Sequence, residues 1–299
     1  MFYSLTQGLT AKMDITTAQN RTTNVTPQDV HERLIEMWLD GRSPHTRSSY
    51  RRYAREFLAY LNKPLHLATL ADVQGWRLTL SGKSDNSIKT ATSAVKSLFT
   101  FGHRIGVLQL NVTAALKQVK PQDTLNERIL SELEVATLIA LETDPRNRLI
   151  LRLLYSGGLR VSELSGLSWK NLKERGESGQ VTVFGKGRKT RTILLKQDIW
   201  DELMQLKGDR SNDEPVFKSR KGGHINRHQL WRIVARAAKR AGIEGKVSPH
   251  WLRHAHASHS LDRGAPIHLV QQTLGHESVA TTSRYLHARP NDSSSLYLP

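Results

Sequence analysis

Val181-Thr182-Val183-Phe184, then Gly185-Lys186-Gly187-Arg188-Lys189, then Thr190-Arg191-Thr192-Ile193-Leu194-Leu195 run without a break through the middle of the chain. Two short runs rich in β-branched residues, joined by a glycine-containing segment, predict a β-hairpin. On its N-terminal side, apolar residues recur at helical spacing over about 131–142 and 145–156, and on its C-terminal side the stretch from about 226 to 286 reads as mostly helix. The hairpin therefore predicts a small antiparallel β-sheet set in a mainly α domain, placed at 125–288.

Ahead of that domain, Lys117-Gln118-Val119-Lys120-Pro121-Gln122-Asp123-Thr124 is polar, contains proline and lacks apolar periodicity. It marks an interdomain linker at 116–124. Residues 27–115 predict a small all-α domain. Thr26-Pro27-Gln28-Asp29 and Ser43-Pro44 each join a capping hydroxyl to a proline in the first helical turn. The helix from Pro44 puts Tyr50, Tyr53, Ala54, Phe57 and Leu61 on one face and Arg47, Arg51 and Arg55 on a separate stripe. Further helices are expected over Leu70 to Leu80 and from Ser84, the latter with Ile88, Ala91, Val95 and Leu98 inward and Lys89 on a basic edge. Residues 1–26 read as a flexible arm, and 289–299 as a tail whose Leu296-Tyr297-Leu298 end is open either to fraying or to docking on another subunit.

Of 299 residues, 44 are Lys or Arg and 27 Asp or Glu, a net charge of +17. The excess is +8 in 1–120 and +9 in 121–299, so it belongs to both halves and not to a tail. Charge of this size favours a polyanionic partner, nucleic acid first. A hydrophobic content of 38% supports a packed core and excludes wholesale disorder. Cysteine is absent, which removes disulfide frameworks, cysteine zinc modules, iron–sulfur clusters and thiol nucleophiles together. No apolar run approaches the ~20 residues of a membrane-spanning helix, and 1–26 lacks the basic-then-apolar order of a signal peptide. A cytoplasmic protein with no membrane partner is expected.

Four separated clusters carry chemistry. In Gly157-Gly158-Leu159-Arg160-Val161-Ser162-Glu163-Leu164, a tight turn precedes a helix start, and Arg160 and Glu163 stand three apart on one face. Taken alone this is a surface ion pair. Lys186 sits between glycines that let a loop approach a backbone closely, though a solvated turn lysine would look the same. In Ser248-Pro249-His250-Trp251-Leu252-Arg253-His254, His250 and Arg253 share a helical face. Histidines at 250, 254, 256 and 259 also raise a metal-site reading; no carboxylate joins them in a metalloprotease or deaminase pattern. Leu274-Gly275-His276-Glu277-Ser278 is followed by Tyr285 nine residues after the histidine; alone, such a tyrosine is usually a packing residue.

Taken together and in this order, Gly-Leu-Arg160-Val-Ser-Glu163-Leu, Gly-Lys186-Gly, Pro-His250-Trp-Leu-Arg253-His and Leu-Gly-His276 with Tyr285 resemble the tyrosine recombinases of the phage integrase family, in their Xer-like two-domain form. The resemblance spans 121–287, and the helical 27–115 resembles the family's core-binding domain. It implies a site-specific DNA recombinase that cleaves and rejoins double-stranded DNA through a 3′-phosphotyrosine. Tyr285 would attack the scissile phosphate, Arg160 and Arg253 would hold its non-bridging oxygens, and His276 would donate to one of them. Lys186 would protonate the leaving 5′-oxygen, His250 would serve as acid/base toward Tyr285, and Glu163 would orient Arg160 or a neighbour. The resemblance further implies a homotetramer on two synapsed sites, with an accessory protein or a second recombinase as a further partner.

The chemistry fits these residue types. A free phenol has a pKa near 10, about three units from ionised at neutral pH or roughly 4 kcal/mol, so a proton acceptor and anion-stabilising donors are needed. No carboxylate pair for a divalent ion appears among the clusters. Guanidinium and imidazole donors can hold the phosphate instead, at about 3 kcal/mol for each well-placed group. The expectation is a reaction with no nucleotide cofactor and no metal. A two-domain clamp round a duplex also accounts for charge in both halves. Arg47, Arg51, Arg55 and Lys89 are the candidate DNA contacts of the first domain, Lys189 and Arg191 those of the second. Two alternatives stay open: relaxation of supercoils in the manner of a type IB topoisomerase, and a DNA-binding regulator with a silent site.

Overall fold

The computed structural model describes residues 27–119, 125–185 and 190–286. The arm, Thr26, Lys120 to Thr124, Lys186 to Lys189 and the segment from 287 through the tail lie outside the described residues. The chain divides into two compact units, 1–122 and 123–299.

Among its described residues the first unit holds four α-helices, α1 (Pro27–Leu39), α2 (Pro44–Leu61), α3 (Leu70–Leu78) and α4 (Asp85–Arg104). Their starts follow from the side chains before them. The Ser43 hydroxyl accepts from Thr46 N–H ahead of Pro44, Thr69 and Asp72 form a reciprocal capping box, and the Ser84 hydroxyl accepts from Ser87 N–H. Each cap satisfies backbone donors that have no partner within the helix. Tyr53, Ala54, Phe57 and Leu61 of α2 and Ala91, Ala94, Val95, Leu98 and Phe99 of α4 are buried together with Ile35, Trp38 and Trp76. Phe57 meets Trp76 and Phe99 edge-on, at 5.4 and 5.9 Å between ring centres. Two boundaries differ from expectation. α3 stops at Leu78, although Leu80 is still buried beyond it. Leu116, assigned to the linker, packs in this core, while the Lys96 ammonium donates to its carbonyl and Gln118 donates to Ser93.

The second unit starts with α5 (Glu132–Ala140), α6 (Pro145–Ser156) and the short α7 (Val161–Ser165). A sheet of β1 (Leu172–Arg175), β2 (Ser178–Phe184) and β3 (Thr190–Leu195) follows. Then come α8 (Gln197–Lys207), α9 (Arg227–Arg240), α10 (Pro249–Asp262), α11 (Ile267–Leu274) and α12 (Val279–Ser283). The architecture is the expected one, a helical unit followed by a mainly α unit with a small antiparallel sheet. The strands run in the order β1-β2-β3, with Val181 opposite both Leu172 and Ile193. Alternation sends Val181, Val183, Ile193 and Leu195 inward. α6 is the central element, and Leu149, Ile150, Leu151, Leu153 and Leu154 are all buried along it. β1 carries a single buried apolar residue, Leu172.

Sheet and helix meet at Gly179, where a Cβ would lie 2.0 Å from Cε3 of Trp200 on α8. Overpacking of this kind costs about 1–3 kcal/mol, and each kcal/mol lowers the Tm of a unit this size by roughly 2–4 °C. Gly179→Ala should therefore show a lowered melting transition in calorimetry.

Candidate active site

Residues picked out by three of the four clusters come together where the turn after α6, the start of α10 and the end of α11 meet. Gly158 adopts φ +55°, and a Cβ on it would stand 2.8 Å from Leu274 Cδ2 and 2.9 Å from His256 Cδ2, so the turn requires glycine on both counts. Its carbonyl accepts from Nη1 of Arg253, whose Nη2 donates to the Leu274 carbonyl at 2.5 Å. α11 ends at Gly275, which caps it in the left-handed conformation. Arg160 Nη2 donates to the Gly275 carbonyl at 2.8 Å. Two guanidiniums thus tie three separate chain segments together.

Glu163 lies beneath them. Its side chain is 3% exposed, so the Arg160–Glu163 pair is not the solvated surface pair that spacing alone allows. Glu163 accepts from Arg160 N–H at 2.7 Å and Arg160 Nη1 at 2.9 Å, and from Arg191 Nη1 and Nη2 at 2.7 and 2.8 Å. Here Arg191 departs from expectation. It was assigned to a DNA-facing surface, but its side chain is 11% exposed, and its Nε donates to the Thr273 carbonyl at 2.6 Å. The reason is parity: Arg191 shares the inward face of β3 with Ile193 and Leu195.

Burial works to raise the Glu163 carboxyl, but donors from Arg191 and from the Arg160 backbone and side chain outweigh it and hold the group below the usual 4.5. A carboxylate depressed in the folded state contributes stability above its unfolded pKa and loses it on acidification. The stability advantage of wild type over Glu163→Gln should therefore be full above pH 4.5 and shrink as pH falls below it, as read from melting temperature against pH for both proteins.

Tyr285 follows α12 and is 5% exposed, packed with Ile129, Ala257, Val270 and Leu274. Its phenol oxygen is 2.7 Å from Nδ1 of His254, and its ring lies parallel to that of His276, at 9° and 6.4 Å between centres. His276 Nδ1 is 2.9 Å from the Thr282 hydroxyl. The phenol is pushed up from 10 by burial, against the pull of Arg253 and Arg284. Burial, then the neighbouring cations, bring His276 and His254 down to about 4 and Arg253 down to about 9. His250, in the first turn of α10, is lowered by desolvation and by Arg253 and Arg160. At neutral pH the histidines are uncharged. Arg160 and Arg191 share the Glu163 carboxylate, while Arg253 donates to carbonyls alone among the described residues.

The histidine that hydrogen-bonds the phenol is His254, and His250 is not within hydrogen-bond distance of it. The other α10 histidines serve different partners, with His259 on Tyr155 and His256 against Gly158. Among the described residues no group of three or more metal-ligating side chains gathers. A cleft of about 980 Å³ opens over the site, bordered by Arg160, Thr190, Gly275 and His276, and by Phe184 and Gly185 at the end of β2. Lys186 and Lys189 lie outside the described residues.

On the first unit, the arginine stripe of α2 is present but largely paired. Arg51 and Arg47 reach Glu36 at 2.6 and 3.5 Å, and Arg55 reaches Glu32 at 2.9 Å. With Arg42 and Arg52 these arginines line a groove of about 670 Å³. Lys89 is exposed on α4.

Residues 127–292 match the Phage integrase family, and 32–106 match the Phage integrase N-terminal SAM-like domain. The chain belongs to the phage integrase family. These are tyrosine recombinases, enzymes of DNA cleavage and rejoining, as the resemblance implied. Among relatives, a tyrosine recombinase XerD of Pseudomonas aeruginosa is 34% identical over 273 residues, covering 85% of this chain and 90% of its own. A tyrosine recombinase XerC of Corynebacterium efficiens is 36% identical over 260 residues, covering 83% of this chain and 82% of its own. The fold matches that of a lambda integrase dimer bound to a COC′ core site, with TM-score 0.73 and 21% identity over 88% of this chain and 95% of that one. It also matches XerH bound to its difH substrate, with TM-score 0.71 and 22% identity over 91% of this chain and 83% of that one.

Proposed function

We propose that the chain recombines double-stranded DNA at specific sites, with Tyr285 as nucleophile and a 3′-phosphotyrosine as intermediate. The observation that carries this reading is a buried tyrosine beside Arg253 and His276, next to a cleft bordered by Arg160 and His276. A phosphate in the cleft meets guanidinium and imidazole donors. Arg160 and Arg253 hold its non-bridging oxygens with N–H groups not engaged by carbonyls or Glu163. His276, whose Nδ1 is engaged by Thr282, donates from Nε2. His250 adds a polar group next to both arginines, and Glu163 with Arg191 keeps Arg160 in place. In the return step the 5′-hydroxyl of a partner strand attacks the phosphotyrosine, so bond energy is conserved through the covalent link.

Lys186 takes the general-acid role toward the leaving 5′-oxygen. Lys186→Ala should slow cleavage of an ordinary phosphodiester by about 10²-fold or more, and should affect much less a substrate whose bridging 5′-oxygen is sulfur, because a thiolate leaves without a proton. Single-turnover rates on both substrates check this; equal loss on the two would remove the role. Arg47, Arg51, Arg55, Lys89 and Lys189 contact backbone phosphates in this proposal, with Glu36 and Glu32 releasing their arginines as DNA arrives. The active assembly is a homotetramer on two synapsed sites in the cytoplasm, with an accessory protein or second recombinase where one is required.

Incubating the protein with genomic DNA, trapping denaturation-resistant links and sequencing their ends tests the reading. Adducts concentrated at defined sites support recombination. Dispersed adducts with relaxation of supercoiled plasmid and no exchange of partners would favour a topoisomerase, and bound DNA with no adducts a silent regulator.

A further inference from the structure

The phenol of Tyr285 has one titratable hydrogen-bond partner among the described residues, and it is a histidine that the functional reading leaves without a task. His254 Nδ1 stands 2.7 Å from the phenol oxygen, inside the 2.6–3.2 Å window in which a base can take a proton directly. His254 is itself held on α10 immediately after Arg253, so the residue proposed to grip the phosphate and the residue that touches the nucleophile are consecutive on one rigid helix. The two rings approach at 5.7 Å and 41°.

We propose that His254 is the proton acceptor for Tyr285 during strand cleavage and the proton donor during rejoining. The inference rests on the recombinase reading above. In cleavage the Tyr285 oxygen forms its bond to phosphorus, and the phenolic proton passes to His254 Nδ1. The bond from phosphorus to the 5′-oxygen breaks, and the leaving oxygen receives its proton from the separate acid assigned to Lys186. In rejoining, the 5′-oxygen attacks phosphorus as its hydroxyl proton returns to the amine assigned to Lys186, the Tyr285 oxygen departs, and His254 gives it the proton.

The surroundings set when this transfer can occur. His254 faces His250 and Arg253 from its own helix, Arg128 from the turn before α5 and Arg284 beside the tyrosine. With the cleft empty, burial and then the three arginines keep the imidazole neutral, so Nδ1 is available to accept, while burial keeps the phenol protonated. A bound phosphate adds negative charge to the same cluster and favours the imidazolium that proton transfer creates. The nucleophile is thereby kept protonated until substrate is present.

His254→Gln and His254→Asn test the assignment, since an amide can accept a hydrogen bond but cannot carry the proton. Single-turnover adduct formation is measured from pH 6 to 9 on a nicked duplex carrying a site recovered by covalent capture, with DNA affinity and melting temperature measured alongside. The expected result is unchanged affinity and a loss of about 10²–10⁴-fold at pH 7 in both variants. Their rates should climb about tenfold per pH unit, because they depend on phenolate formed in solution, where wild type is nearly flat. A Gln variant within about threefold of wild type at pH 7 would overturn the assignment, as would a loss that is the same at every pH. Wild-type protein that forms no adduct on any duplex would overturn the recombinase reading and this step with it, whereas adducts equal in wild type and variant would overturn this step alone.

Discussion

Tyr285→Phe is expected to abolish covalent attachment to DNA altogether while leaving DNA affinity close to that of wild type. The substitution removes one oxygen atom, and with it the atom that must bond to phosphorus. The remainder of the ring packs against Ala257, Val270 and Leu274 and lies parallel to His276, so the surrounding site is preserved. A small stability cost is expected, since His254 loses its 2.7 Å partner and a hydrogen bond contributes about 0.5–1.5 kcal/mol net. Denaturing electrophoresis of labelled DNA after incubation, beside an affinity measurement, reads both halves of the expectation. Adducts at the wild-type level in the variant would remove Tyr285 as nucleophile.

The second large effect is expected at Arg253. Its side chain is buried, its two terminal nitrogens tie the carbonyls of Gly158 and Leu274, and Arg160 stands nearby with the same charge. A lysine keeps the positive charge but has no planar fork with which to satisfy two carbonyls and a phosphate together. Arg253→Lys should reduce the rate of adduct formation by about 10²–10³-fold, the range for removing a preorganised donor from a developing oxyanion. It should also lower the melting temperature, because a buried carbonyl left without a donor costs about 1–3 kcal/mol. Arg253→Ala should lose more of both. Rates near wild type in Arg253→Lys would mean that charge alone, and not the fork, is what the reaction uses.

Much of this arrangement is legible in the sequence because its determinants are local. Caps and 3.6-residue periodicity locate α2, α4, α5 and α6 within a few residues, and alternation locates the hairpin. β1 left little trace, since one buried residue in four makes no alternation. Arg191 is the instructive case. Period two along Arg191, Ile193 and Leu195 already placed its side chain inward, but reading it as one more basic residue overlooked its parity, and only a buried carboxylate could bring a guanidinium there. That carboxylate, Glu163, is adjacent to Arg160 in any helix, yet whether the pair is solvated depends on what packs over it, here β3 and the end of α11. His254 carried no local signal of its contact, because its partner lies 31 residues away across α11 and α12. Its neighbours in sequence suggested a shared metal instead, whereas the helix distributes the four histidines to four different surroundings. Leu116 at the edge of the expected linker is a similar case: the polar run begins only after it, and its burial in the first core is a tertiary fact.

The measurement that tests the central claim most directly is identification of the covalent bond itself. Adducts trapped under denaturing conditions are digested with protease and nuclease, and the residue bearing nucleotide is located by mass spectrometry, while the free DNA end is assayed for its terminal group. The account predicts nucleotide on Tyr285 through a 3′-phosphate and a free 5′-hydroxyl on the released strand. Nucleotide on any other residue, or a link through a 5′-phosphate, would contradict it.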